Sequence, residues 1–342
     1  MDSKNDRSQL VTKILERVSP SRFKRAILME MNRGLLALLL LLLIFIVLFI
    51  IGLLDPGLLR GVIRSKEPIE TFFQSMVAAI ITGVTLVVTI SQVVLSQELG
   101  SLGDQQERME NSMNFRKEAE SHINEPLSPT SPSLFFVTLL QSIKHKADLL
   151  SDTIQDDDDD SLVDDFEEFI KNLIKNSKVV KRGLEDKQFG TYKVINHTLD
   201  FNYPFKIYEV RRLKSKFGSN MSKETEEILD DMIETFKLYG SAREHFKTLY
   251  FQWELINLSR IMLYSAIPAI LTATTMILFF NDPGSFTGTT MGIDNILILV
   301  TVSVTISLAP FMLLTSYILR ITTLAKRTLA IGPFILRETE QE

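Results

Sequence analysis

The chain has 342 residues, 45% of them hydrophobic and 23% charged, with a formal net charge of −5, four histidines and no cysteine. The lack of cysteine excludes disulfides, thiolate metal sites and a cysteine nucleophile, and the acidic balance gives no support for a nucleic-acid partner. The apolar residues fall in stretches almost free of charge, which is the pattern of an integral membrane protein with a polar insert and not of a soluble globule.

Residues 1–33 form a basic amphipathic leader, in which Lys4, Arg7, Lys13, Arg17, Arg22, Lys24, Arg25 and Arg33 face four acids. Leu10, Val11, Ile14, Leu15 and Val18 recur at helical spacing until Ser19-Pro20-Ser21 interrupts them. Such a segment beside a span is held by charge near anionic lipid. Residues 34–97 hold two predicted transmembrane helices. The first, Gly34 to Leu54, has no charged side chain, and its uniform Leu/Ile surface predicts a lipid-facing place at the edge of the bundle. Asp55-Pro56-Gly57 ends it.

The second span, Thr71 to Gln97, is apolar but carries a polar stripe of Ser75, Ala78, Thr82, Thr85, Thr89, Gln92 and Ser96. Steps of three and four put all seven on one helix face. Lipid would not select that face, so it is expected to look toward protein or water. Two chemistries fit it. Small and hydroxylated residues let helices pack closely in a bundle. Alternatively, the stripe lines a pore for inorganic ions at the axis of a symmetric homo-oligomer. A repeat sustained over so many turns favours the axis. Helical composition continues to His122, and one helix from Thr71 to His122 would be roughly 78 Å long. Gly100 and Gly103 interrupt it and are read as a hinge.

Residues 98–258 read as a helical cytoplasmic domain. Asp156, Asp157, Asp158, Asp159 and Asp160 form an acidic run that is either a solvated loop or a Ca²⁺ clasp, although it lacks the EF-hand pattern. Leu162, Val163, Phe166, Phe169, Ile170, Leu173 and Ile174 then mark a 3.6-period helix, with Ser161 and Asp164 resembling a capping box at its start. Residues 183–204 read as loop and short helix, with TYKVI weighed as a strand. A helix is expected from Pro204 to Phe217, stopped by Gly218, and a long one from Ser222 through Trp253 into the third span.

Residues 259–320 hold the last two spans, Ile261 to Phe280 with Pro268 inside and Ile296 to Leu319 with Pro310 inside, and residues 321–342 form a tail. The loop between these spans has no Lys or Arg, whereas Arg320, Lys326, Arg327 and Arg337 follow the last one. The positive-inside rule puts both termini and the insert in the cytoplasm of a protein in the cell membrane. The fold class is therefore all-α, a polytopic membrane protein with four transmembrane helices and a helical cytoplasmic domain between helices 2 and 3. No Walker loop, GxGxxG, HExxH or GxSxG is present, so no enzyme is expected. The span interiors lack Asp, Glu, Lys, Arg and His, which argues against a proton-driven carrier.

VVLSQELGSLGDQQERM, after the second span, and LYFQWELINLSR, before the third, resemble a family of uncharacterised archaeal membrane proteins with the same four-span layout. That resemblance implies the layout and no activity. The layout is also similar to bestrophins, which are Ca²⁺-linked anion channels; their carboxylate clasp follows the fourth span, whereas the acidic run here precedes the third. The resulting expectation is a homo-oligomeric ion channel with the second span lining the pore and the cytoplasmic helices controlling assembly or gating. The alternative is a membrane-anchored scaffold or signalling protein whose cytoplasmic helices bind a partner.

Overall fold

The computed structural model describes residues 31–54, 67–123, 125–154, 160–185, 192–218, 221–280 and 288–329, with the side chains of 160 and 327–329 outside the description. The chain is mostly helical. In order come α1 (Arg33–Leu54), α2 (Glu67–Glu98), α3 (Leu102–His122), α4 (Pro132–Ile154), α5 (Asp160–Leu184), α6 (Tyr192–Thr198), α7 (Tyr203–Phe217), α8 (Lys223–Phe279), a hairpin of β1 (Thr289–Thr290) and β2 (Ile293–Asp294), and α9 (Asn295–Leu329). Four of these, α1, α2, α8 and α9, are long and apolar enough to cross a membrane. The chain divides into two compact units, Met1–Val94 with Glu254–Thr323, and Leu95–Trp253 with Leu324–Glu342.

The first unit is built on α2. Its Ile69, Phe73, Met76, Ile80 and Val87 are buried, recurring at steps that keep them on one face. Opposite them on α8 stand the buried small residues Ala266, Ala269 and Ala273. Phe73 packs with Ala273 and Met276, and Ile80 packs with Ala266 and Ala269. Small side chains on one helix thus admit large ones from the other, and such packing drives association of helices in lipid. At one end Val87, Leu258, Met262 and Tyr317 close the interior. By contrast α1 is peripheral: most of its Leu, Ile and Val side chains are exposed, and only Leu36, Ala37 and Gly52 are buried. A side chain at Gly52 would overlap Leu297 of α9, so glycine sets that close approach. Before α9 the hairpin turns at Met291 and Gly292, both at positive φ, with the paired positive values of a tight hairpin turn.

The second unit has its own core. Phe136 packs edge-on against Tyr239, with ring centroids 5.1 Å apart, and against Phe246 at 5.5 Å. Phe201 lies 4.8 Å from Tyr239. The periodic face of α5 is buried at Leu162, Phe166, Phe169, Ile170 and Leu173. This helix starts at Asp160, so Ser161 lies in its first turn and does not precede it. Tyr192 to Ile195 of the TYKVI stretch are helical in α6. The side chain of Asn202 caps α7, and Gly218 ends it. Ser222 accepts the Thr225 amide at 3.0 Å just before the first residue of α8.

The helical run from Thr71 to His122 is interrupted beside the glycine pair. α2 stops at Glu98 and α3 restarts at Leu102, with Ser101 as N-cap. The Asp104 carboxylate accepts the Ser101 amide at 3.0 Å, and the Ser101 hydroxyl accepts the Asp104 amide at 3.3 Å. This reciprocal box satisfies two amide donors of a new helix start. A side chain at Gly100 would press on Asp104 at 3.1 Å, whereas one at Gly103 would meet only ordinary contact with Ser101 at 3.8 Å.

Candidate functional site

The polar stripe lies on the outside of the first unit's helices. Ser75, Ala78, Thr82, Thr85, Thr89 and Gln92 are all exposed, as is Ser96 on the last turns of α2. At about 100° per residue the stripe is centred roughly 180° around the helix from Phe73 and Ile80. Packing among the described residues therefore does not use it. That task falls to Ala266, Ala269 and Ala273 of α8, together with the buried Ser303 and Ser307 of α9. Their signal in the sequence is the same small-residue spacing, on a different helix.

The stripe is chemically uneven. Ser75 donates to the Thr71 carbonyl, Thr82 to that of Ala78 and Thr89 to that of Thr85, each at 2.8 Å. A hydroxyl bonded back in this way is satisfied by its own helix and turns its methyl or methylene outward. Thr85 and Gln92 make no side-chain hydrogen bond among the described residues. They are seven residues apart and so lie on one line along the helix. An uncompensated amide facing hydrocarbon costs several kcal/mol on water-to-alkane scales, about 4–8, so this line calls for water, an ion or another polar surface.

At the end of the first unit where α2 finishes, charged groups converge that periodicity does not reveal. Arg33 pairs with Glu254, and its guanidinium lies 4.6 Å from the Tyr317 ring centre. Arg320 donates to the Met31 carbonyl. The Ser91 hydroxyl donates to the Leu255 carbonyl at 3.2 Å, tying α2 to α8. Glu254 is 3% exposed and the Arg33 side chain 17%, so the pair is partly buried, with its carboxylate on the inside.

In the second unit, Lys146 donates to Thr235 Oγ1 at 2.6 Å and to the His122 carbonyl at 3.1 Å, and pairs with Asp231 at 2.7 Å. Burial pushes the Lys146 ammonium below the usual lysine range, and Asp231 works against that shift. A groove of about 840 Å³ runs beside α7, lined among the described residues by Tyr203, Pro204, Ile207, Tyr208, Arg211 and Arg212 with Ser215 and Lys216. Among the described residues no three His, Asp or Glu side chains are grouped to hold a metal. Asp156 to Asp159 lie outside the described residues, as does the side chain of Asp160.

A family model described as "Family of unknown function (DUF7972)" matches residues 1–342. No curated protein and no solved structure matches the chain.

Proposed function

The chain belongs to the DUF7972 family of unknown function, and from its own residues we propose that it is a homo-oligomeric ion channel whose α2 lines the pore. The observation that carries this reading is the exposure of the whole stripe Ser75, Ala78, Thr82, Thr85, Thr89, Gln92 and Ser96 on the side of α2 turned away from its packed face. Copies arranged around an axis would turn these faces inward and give a wetted wall without fixed charge. Hydroxyls and the Gln92 amide can replace part of an ion's hydration shell, so selectivity would arise at the mouths or at a constriction. The four apolar helices would span the cell membrane with both termini cytoplasmic, and the second unit would be the cytoplasmic domain that controls assembly or gating. Gly100 and Gly103 would serve as a hinge. Kinship with archaeal four-span proteins and likeness of layout to bestrophin-type channels belong to this proposal, as does Ca²⁺ on Asp156–Asp160.

The test is reconstitution of the purified protein in planar bilayers, under varied Ca²⁺, voltage and tension. Discrete conductance steps, with an oligomer seen by particle imaging, are the expected result. A monomer without conductance overturns the reading.

A second reading is favoured by the groove on α7. Its lining, which combines Pro204 and Ile207 with Arg211 and Arg212, suits an acidic amphipathic segment, as expected of a membrane-anchored scaffold. Substitution separates the two readings. Replacing Arg211 and Arg212 by Glu would abolish partner binding by a scaffold and leave the unitary conductance of a channel in place.

A further inference from the structure

We infer that the first half of α3 is a two-heptad, parallel seam at which copies of this chain meet. The inference rests on the homo-oligomer reading above and deepens it by naming a contact outside the apolar helices.

Every residue from Ser101 to Asn114 is exposed. Their bonds are local: the Ser101–Asp104 box, and Arg108 reaching the Gln97 carbonyl at 2.8 Å. A helix of this length without packing is marginal in water. One of its faces is apolar. Leu102 is 82% exposed, Met109 69% and Met113 48%. With Gln106 they recur at steps of three and four, which is the seam of a coiled coil.

The seam stops where the helix turns to its own unit. Phe115 lies 6.2 Å from the Phe135 ring, Ala119 is fully buried, and Arg116 donates to the Ser128 and Pro129 carbonyls at 2.7 and 3.0 Å. Among the described residues, the side chains of Leu102, Met109 and Met113 thus stay exposed, whereas Phe115 and Ala119 are packed into the core of their own unit.

Three features select a second copy as that partner. In a parallel, in-register pair Gln105 faces Glu110 and Ser112 faces Lys117 across the flanks, so no like charges meet. Gln106 in the middle of the seam is the single polar core residue that fixes register in such pairs. Neighbouring copies anchored by apolar helices would be held parallel, and the millimolar effective concentration of a short tether would offset the weakness of so short a seam.

The chain has no cysteine, so single-cysteine variants report only contacts between copies. The full-length protein in nanodiscs carries either Met109→Cys on the seam or Asn111→Cys on the outer face, and is treated with a short bismaleimide. The expected result is at least fivefold more crosslinked dimer at position 109 than at 111. Equal or absent crosslinking, in particles that keep the mass of an oligomer, overturns the seam and leaves the channel reading standing. Selective crosslinking without conductance keeps the seam and removes the channel. Monomeric particles overturn both.

Discussion

Arg33, the first residue of α1, forms an ion pair with the buried carboxylate of Glu254, 221 positions along the chain on α8. The same guanidinium lies over Tyr317 of α9. One side chain therefore ties three apolar helices together at the point where the basic leader enters α1. Cation–π contact of this kind adds about 0.5–2 kcal/mol to the pair.

Removing one partner leaves the other charge buried and uncompensated, which costs about 3–5 kcal/mol. Glu254→Leu is expected to lower the midpoint of thermal helix loss in detergent, and Arg33→Met to do the same. The double variant is expected to recover most of the loss, because a buried pair replaced by apolar groups is often near neutral. Additive losses in the double variant would show that the two side chains act separately.

The two stripe residues without an internal hydrogen bond are expected to matter most for conduction. Thr85→Val with Gln92→Leu should cut single-channel conductance severalfold while the assembly keeps its mass. Thr82→Val should change it less, since the Thr82 hydroxyl is already engaged by the Ala78 carbonyl. Loss of assembly in the first variant, with conductance unchanged in the particles that remain, would make the stripe a contact between copies and not a wall.

Gly240 on α8 faces the Tyr203 ring, and a methyl there would stand 2.6 Å from the ring's Cε2. That ring is also held beneath the Arg243 guanidinium, 4.6 Å from its centre. Gly240→Ala is expected to destabilise the second unit by about 1–3 kcal/mol through overpacking. Chemical denaturation followed by the near-ultraviolet tyrosine signal measures it, and an unchanged midpoint would mean that the ring moves aside.

The folded-state value of Lys146 lies below its ordinary 10.5, with burial as the main cause. Between that lowered value and 10.5 the unfolded chain binds the extra proton, so stability rises with pH through this window. Below the window both states are protonated and the burial penalty is fully present. Lys146→Met is expected to flatten the rise of the unfolding midpoint with pH in that interval. Parallel pH profiles for the two proteins would assign the slope to other groups.

If the acidic run holds Ca²⁺, replacing Asp156–Asp160 by Asn should abolish any rise in melting temperature on adding Ca²⁺, and chelator should reproduce the loss in the parent protein. An equal response of both proteins would assign the ion to another site.

Several helices were legible from local chemistry. The periodic face of α5 is buried, α7 ends at Gly218, and α8 runs from Lys223, just after Ser222, to Phe279, because amphipathic period, glycine and a capping hydroxyl act within a few residues. The break at Leu99–Ser101 was half legible. The glycines announced an interruption, but the new start is made by Ser101 and Asp104, a box that the continuing helical composition concealed. Arg33 with Glu254, and Lys146 with Thr235 and Asp231, had no signal at all. Contacts between residues so far apart in the chain leave no period to read.

By itself the sequence determined that Ser75, Ala78, Thr82, Thr85, Thr89, Gln92 and Ser96 share one face of one helix, because 3.6 residues per turn leave no other arrangement. Which way that face points was decided by the tertiary structure. The alanines of α8 admit Phe73 and Ile80 but offer the polar stripe nothing, so α2 packs by its large apolar side and the stripe stays outside. Helical period sets which residues lie together, whereas burial depends on the shape and chemistry of the helix that comes to meet them.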